Sequence, residues 1–191
     1  MPSLRDQLTR SRGLQFVGAP SALFAKLIES HGFDGVYLSG AGVANAVYGV
    51  PDDGTITLEQ VATVARNVCA ATTLPVICDA DTGFTDEGDV SACIRALEAA
   101  GVAAIQIEDQ VSAKKCGHLD GKQLVPIELM EEKIDVFLGF LNALSREPTS
   151  TIKPGFTMVR NINPKDWCRS MRYWVPNQMT EKPGFWEDHE P

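Results

Sequence analysis

Between Leu4 and Arg160, short apolar runs alternate with helically spaced stretches. This alternation constrains the fold more than any other feature of the chain. Gln15 to Ala19 (QFVGA) is apolar and ends at Pro20, so it predicts a first strand. Ser21 is placed to cap a helix in which Leu23, Phe24, Leu27 and Ile28 share a face, and Gly32 supplies the left-handed stop. Val36 to Leu38 predicts the second strand. Thr57-Leu58-Glu59-Gln60 has the form of a capping box, followed by the stripe Leu58, Val61, Ala65 and Val68. Pro75 to Ala80 predicts the third strand, and Val90, Cys93, Ile94 and Leu97 predict a helix closed by Gly101. Val102 to Ile107 predicts the fourth strand, a helix runs from about Pro126 to Leu144, and Gly155 to Arg160 predicts the fifth strand. Strands that alternate with helices form βαβ units and a parallel sheet.

Composition excludes several classes of function. The chain has 191 residues, 44% apolar and 22% charged, as in an ordinary soluble domain. Its formal charge of −8 argues against a nucleic-acid partner, which needs a basic face. A small anionic substrate is still compatible, because a few local cations reverse the potential of a cleft. The five cysteines, Cys69, Cys78, Cys93, Cys116 and Cys168, include no CxxC pair, so a reduced chain without a zinc site is expected. No apolar run approaches the roughly 20 residues of a membrane span, and Met1 to Arg12 has no signal-peptide core. The expected compartment is the cytoplasm.

Polar residues gather just after the apolar runs, at the strand ends where α/β folds place their chemistry. Asp79-Ala80-Asp81-Thr82-Gly83 follows the third strand. Carboxylates two apart point to opposite faces of an ideal strand, but a turn at the strand end brings both to one centre. Such a pair suits Mg²⁺, which takes one or two carboxylates and keeps its waters. The plain alternative is a turn or capping pair. Glu108-Asp109 ends the next strand. Neighbouring strands lie about 4.8 Å apart, so these acids converge on the first pair and need a cation or raised pKa values. The alternative is a simple ion pair of Glu108 with Lys114 or Lys115. In Lys114-Lys115-Cys116-Gly117-His118, cationic neighbours favour a thiolate, whereas Cys69, Cys78 and Cys93 fall on core stripes. Tyr37-Leu38-Ser39-Gly40-Ala41-Gly42 follows the second strand, and its backbone N–H groups can hold a carboxylate.

In this order YLSGAGVAN, VPDDG, DADTGF, IEDQ and KKCGH resemble the isocitrate lyase/phosphoenolpyruvate mutase superfamily, from about Leu4 to Arg160. KKCGH followed by LDGKQLVP is similar to the lyase branch, that of isocitrate lyase and 2-methylisocitrate lyase. The resemblance implies a (β/α)8 barrel, homo-oligomers, Mg²⁺ (with Mn²⁺ as a substitute) and small di- or tricarboxylate substrates. It implies cleavage of isocitrate or methylisocitrate to succinate and glyoxylate or pyruvate. It places Asp79 and Asp81 at the metal, with Asp52 and Glu108 as outer acids. Ser39, Gly40, Ala41, Cys116, Gly117 and Arg160 would contact substrate, with Ala41 standing where Gly or Trp is commoner. Cys116 and Tyr37 would be catalytic, and Lys114, Lys115 and His118 would supply positive potential.

The pattern changes after Arg160. Asn161-Ile162-Asn163-Pro164 stands where the family continues with Thr-Asp and three more βα units. Residues 161–191 hold all three tryptophans without a helical or strand period, and an irregular tail is expected there, or one folded back over an open barrel edge. Residues 1–160 are expected to form an incomplete barrel of about five βα units. Two alternatives stand beside an active lyase. One is an inactive lyase-derived fragment that pairs with full-length relatives, and the other is an oxaloacetate hydrolase or phosphonate mutase-like enzyme.

Overall fold

The computed structural model describes residues 4, 7, 13–114, 121, 123–144 and 157–161, with the backbone alone for 140–144 and 157–161. A five-stranded sheet organises them: β1 (Phe16–Gly18), β2 (Gly35–Leu38), β3 (Val76–Asp79), β4 (Ala104–Glu108) and β5 (Thr157–Asn161). The strands are parallel and lie side by side in chain order. A doubly wound sheet reverses its order at a switch point. This one never does, as expected of successive βα units of a barrel.

Four helices make the crossovers: α1 (Ala22–Ser30), α2 (Leu58–Ala71), α3 (Ser91–Ala99) and α4 (Ile127–Leu144). After β2, one helical turn (Gly40–Gly42) runs into a π-helical segment (Val43–Tyr48), closed by Gly49 at φ 66°. The capping box of α2 forms in full. The Thr57 hydroxyl accepts from the Gln60 N–H at 3.3 Å, and Gln60 Oε1 accepts from the Thr57 N–H at 2.9 Å. Thr57→Ala is expected to cost about 1 kcal/mol. In a chain of this size that lowers Tm by about 2–4 °C, and an unchanged melting curve would show that α2 is held by packing alone.

Strand alternation divides the sheet into two faces. Val36, Leu38, Val76, Cys78, Ile105 and Ile107 are buried on the helix side. They meet Ala25 and Ile28 of α1, Val61, Ala65 and Val68 of α2, Cys93, Ile94 and Leu97 of α3, and Met130 and Phe137 of α4 in one core. On the other face, Tyr37, Ile77, Asp79, Gln106 and Glu108 are half-buried. The polar members of this second face stand toward the C-terminal ends of their strands.

The apolar face expected of α1 is only partly used. Ala25 and Ile28 are buried, but Leu23 is 65% exposed and Phe24 and Leu27 are each 47% exposed. Lys26, Glu29 and Ser30 mark one polar side, but the apolar arc opposite is wider than one contact covers, so spacing does not select which part of it docks. The sheet takes the arc containing the small Ala25. The compact unit carrying these elements ends at Asn161, and Ile162–Pro191 lies outside the described residues. Among the described residues no helix is long and apolar enough to cross a membrane.

Candidate active site

Because the strands are parallel, the ends of β2, β3 and β4 share one rim. Leu38 pairs with Cys78, and Asp79 with Gln106, which brings the loops after the three strands together. Asp79 and Tyr37 lie on the same sheet face. Asp81 reaches the same centre because the chain turns: its φ is 48°, in the left-handed region. That conformation is uncommon for a residue with a side chain and is held here by hydrogen bonds. The Asp81 carbonyl accepts from the Glu108 N–H at 2.7 Å, and its own N–H donates to Asp79 Oδ1 at 3.1 Å. From the β2 loop, the Gly40 N–H donates to Asp79 Oδ2 at 3.2 Å. A Cβ at Gly40 would lie 3.0 Å from Asp79 Oδ2 and 3.5 Å from Asp81 Oδ1, so glycine is what lets this loop approach both acids.

Lys114 closes the cluster. Its ammonium donates to Asp52 Oδ1 at 2.7 Å and pairs with Asp81 Oδ1, and the residue is only 5% exposed. Glu108 Oε2 accepts from Gln110 Nε2 at 2.7 Å. Asp81 Oδ1 is wholly buried and accepts no regular hydrogen bond among the described residues; its charge is met by the Lys114 ammonium.

The electrostatics follow from this crowding. Burial, then the charge of Asp79, pushes Asp81 up to about 6. Burial is also the main cause raising Asp79 and Glu108. Burial opposes the Lys114 ammonium, but the charges of Asp81 and Asp52 outweigh it and hold the proton on. Burial, reinforced by the negative charge of Asp79, raises the Tyr37 phenol well above its usual value, so it stays protonated beside the acids.

A carboxylate raised on folding takes up a proton as the chain folds. The metal-free protein therefore gains stability as pH falls through the folded value and levels off near the unfolded one. For Asp81 the window runs from about 6 down to the ordinary 3.8. The gain is at most about 3 kcal/mol. Exposed Asp53, Asp86 and Asp89 shift the opposite way, but they act below this window. Metal-free protein should melt higher at pH 5 than at pH 7.5, and saturating Mg²⁺ should reverse the order. A metal-free Tm at pH 5 no higher than at pH 7.5 would contradict this crowding.

The acids fit a hard divalent cation. Among the described residues no three His, Cys, Asp or Glu side chains form a ready-made cage. A cation that keeps its waters needs only one or two carboxylates, a number that Asp79 and Asp81 could provide. The buried Asp81 oxygen and the raised acids mark a place short of positive charge, which Lys114 partly supplies.

The other expected residues divide into two groups. Ser39 caps the turn after β2, its hydroxyl accepting from the Gly42 N–H at 3.2 Å, and Ala41 lies within that turn. The Gly40 and Gly42 N–H groups are thus engaged inside the protein. Lys115, Cys116, Gly117 and His118 lie outside the described residues. Arg160 is on β5, in register with Ile107, and its side chain is not described. Cys78 and Cys93 are buried and Cys69 is half-buried, as their stripes predicted. Sequence reasoning missed Gln110, which orients Glu108, and Lys133, which is buried on α4. The missed signal for Lys133 was a lone lysine at helical spacing within the stripe Met130, Ile134 and Phe137.

The fold and site define an α/β protein of barrel type with an acidic cluster at the C-terminal rim of its parallel strands. The chain belongs to the phosphoenolpyruvate phosphomutase family, whose sequence profile matches residues 4–143, and so to the phosphoenolpyruvate mutase/isocitrate lyase superfamily. It is 45% identical to the 2-methylisocitrate lyase of Shewanella oneidensis over 130 residues, which is 68% of this chain and 44% of that protein. The chain thus spans about half the length of the curated relatives it matches. The crystal structure of 2,3-dimethylmalate lyase superposes with a TM-score of 0.69 at 33% identity, covering 76% of this chain and 50% of that one. A phosphonopyruvate hydrolase in complex with oxalate and Mg²⁺ superposes with a TM-score of 0.63 at 30% identity, covering 82% and 50%.

Proposed function

We propose that this chain carries the metal and carboxylate sites of an oxo-acid-lyase that cleaves 2-methylisocitrate or isocitrate to succinate and pyruvate or glyoxylate. One observation carries the reading: Asp79 and Asp81 after β3, Asp52 after β2 and Glu108 at the end of β4, from three separate segments, crowd one strand rim around the Lys114 ammonium. Asp79 and Asp81 would hold Mg²⁺, or Mn²⁺ in its place, with Asp52 and Glu108 as the outer acids. The bound cation supplies the charge that stabilises developing negative charge on the substrate hydroxyl and its neighbouring carboxylate.

The chain's own residues handle protons and carboxylates. Tyr37, whose protonated phenol lies beside Asp79, would pass the substrate hydroxyl's proton on to a carboxylate of the cluster such as Glu108. Cys116 protonates the carbanionic carbon of the departing succinate. Ser39, Gly40, Ala41, Gly117 and Arg160 bind substrate carboxylates. Lys114, Lys115 and His118 raise the local potential, and the buried Lys114 does so already without substrate. The reading includes assembly into homo-oligomers, which light scattering measures directly.

The deciding assay follows oxo-acid formation from 2-methylisocitrate, isocitrate and 2,3-dimethylmalate, with and without Mg²⁺. Oxaloacetate and phosphonopyruvate are included to detect a hydrolase. Magnesium-dependent pyruvate or glyoxylate supports the lyase. Product from oxaloacetate alone moves the assignment to a hydrolase. Mn²⁺ binding without product from any of the five compounds would count against the lyase reading while keeping the metal site.

A further inference from the structure

Lys133 is the largest fully buried side chain of α4, 1% exposed among Met130, Ile134 and Phe137. A lysine so placed loses its hydration and must be matched inside the protein. Among the described residues no carboxylate comes within ion-pair distance. Instead its ammonium donates to two main-chain carbonyls, Thr82 O at 2.7 Å and Thr85 O at 3.1 Å. Both belong to the loop that directly follows Asp81.

That loop is strained. Asp81 at φ 48°, Gly83 at 87° and Phe84 at 59° are all left-handed, and two of the three carry side chains. Such conformations persist only where the surroundings over-determine them. On one side the loop is tied to β4 through the Asp81 carbonyl and the Glu108 N–H, 2.7 Å apart. On the other side it lies hard against α4, where a Cβ at Gly88 would run into the Glu132 side chain. Thr82 itself is 3% exposed, so no water shell competes for its carbonyl.

We propose that Lys133 is a positioning residue for divalent-cation binding: its two hydrogen bonds to Thr82 O and Thr85 O hold the loop in the left-handed turn that aims the Asp81 carboxylate at Asp79. It touches neither cation nor substrate. Methionine in its place fills a similar volume but leaves both carbonyls without a donor. This role rests on the metal reading proposed above.

The test measures Mn²⁺ affinity of the full chain by calorimetry and by paramagnetic resonance of free Mn²⁺, on samples shown to be folded by circular dichroism. Lys133→Met is compared with Met130→Ala, a buried change on the same helix that removes packing but no donor. Lys133→Met should weaken Mn²⁺ by about 10-fold or more, the usual cost of losing a group that orients a ligand. Met130→Ala should lower Tm but leave Mn²⁺ affinity within about 3-fold, well short of that effect. Wild-type affinity in Lys133→Met, or an equal loss in Met130→Ala, overturns the proposal. Should Lys133→Met not fold, Lys133→Gln offers an uncharged NH₂ on a side chain one atom shorter and is expected to weaken binding by a smaller factor; unchanged affinity there also overturns it. Failure of the wild-type chain to bind Mn²⁺ would instead overturn the metal reading itself, and this role with it.

Discussion

Asp81→Asn is expected to weaken Mn²⁺ binding by about 100-fold or more while leaving the metal-free chain folded. Losing a group that merely orients a metal ligand costs 10–100-fold, so losing a ligand's charge should cost at least the upper end of that range. The substitution is mild on the backbone. Asp81 sits at φ 48°, and asparagine tolerates the left-handed region better than most residues. It is also mild on metal-free stability, because burial and the charge of Asp79 already disfavour the ionised Asp81 carboxylate. Lys114 keeps its bond to Asp52 Oδ1 at 2.7 Å. The predicted signature is therefore lost affinity without lost structure. Calorimetric titration with Mn²⁺, alongside thermal melts of both proteins without metal, measures the two separately. Equal Mn²⁺ affinity in Asp81→Asn and wild type would remove Asp81 from the metal site.

Cys116→Ser is expected to lower turnover by about 10²–10⁴-fold while substrate binding changes little. That range is the usual contribution of a positioned proton donor, and a serine hydroxyl is a far weaker acid than a thiol. Cys78 and Cys93 cannot replace it. Cys78 is buried and its thiol is pushed well up by burial, and Cys93 is pushed up to about 12 for the same reason. Both lie in the core under the helices. Steady-state assays on the substrate that wild type accepts, with binding measured independently by calorimetry, separate loss of chemistry from loss of binding. Undiminished turnover in Cys116→Ser would take the thiol out of the mechanism.

Much of the scaffold was legible before any coordinates. The Thr57–Gln60 capping box, the stops at Gly32 and Gly101, and the stripe Cys93, Ile94 and Leu97 are local signals, and each appears where it was expected. The acids were legible too, because Asp79 and Glu108 end apolar runs, and an apolar run in an alternating pattern is a parallel strand. Convergence of neighbouring strand ends then follows from the 4.8 Å strand spacing.

Other features depend on contacts distant in sequence. The sequence could not show which part of the wide apolar arc of α1 docks, because the choice depends on the sheet surface it meets. The plain sequence reading paired Glu108 with Lys114 or Lys115. The fold instead gives Lys114 to Asp81 and to Asp52, 62 residues away and 2.7 Å from its ammonium. The left-handed turn at Asp81 has no local signature, since the bonds that hold it come from Glu108 on β4 and, two residues on, from Lys133 on α4.

By itself, then, the sequence determined the succession of strands and helices, the rim on which the acids stand and the family to which the chain belongs, because these rest on short-range periodicity and on motif order. Only the tertiary structure decided how the acids are aimed and what charge compensates them, because burial and hydrogen bonding across the sheet set both, and neither is encoded within any single stretch of chain.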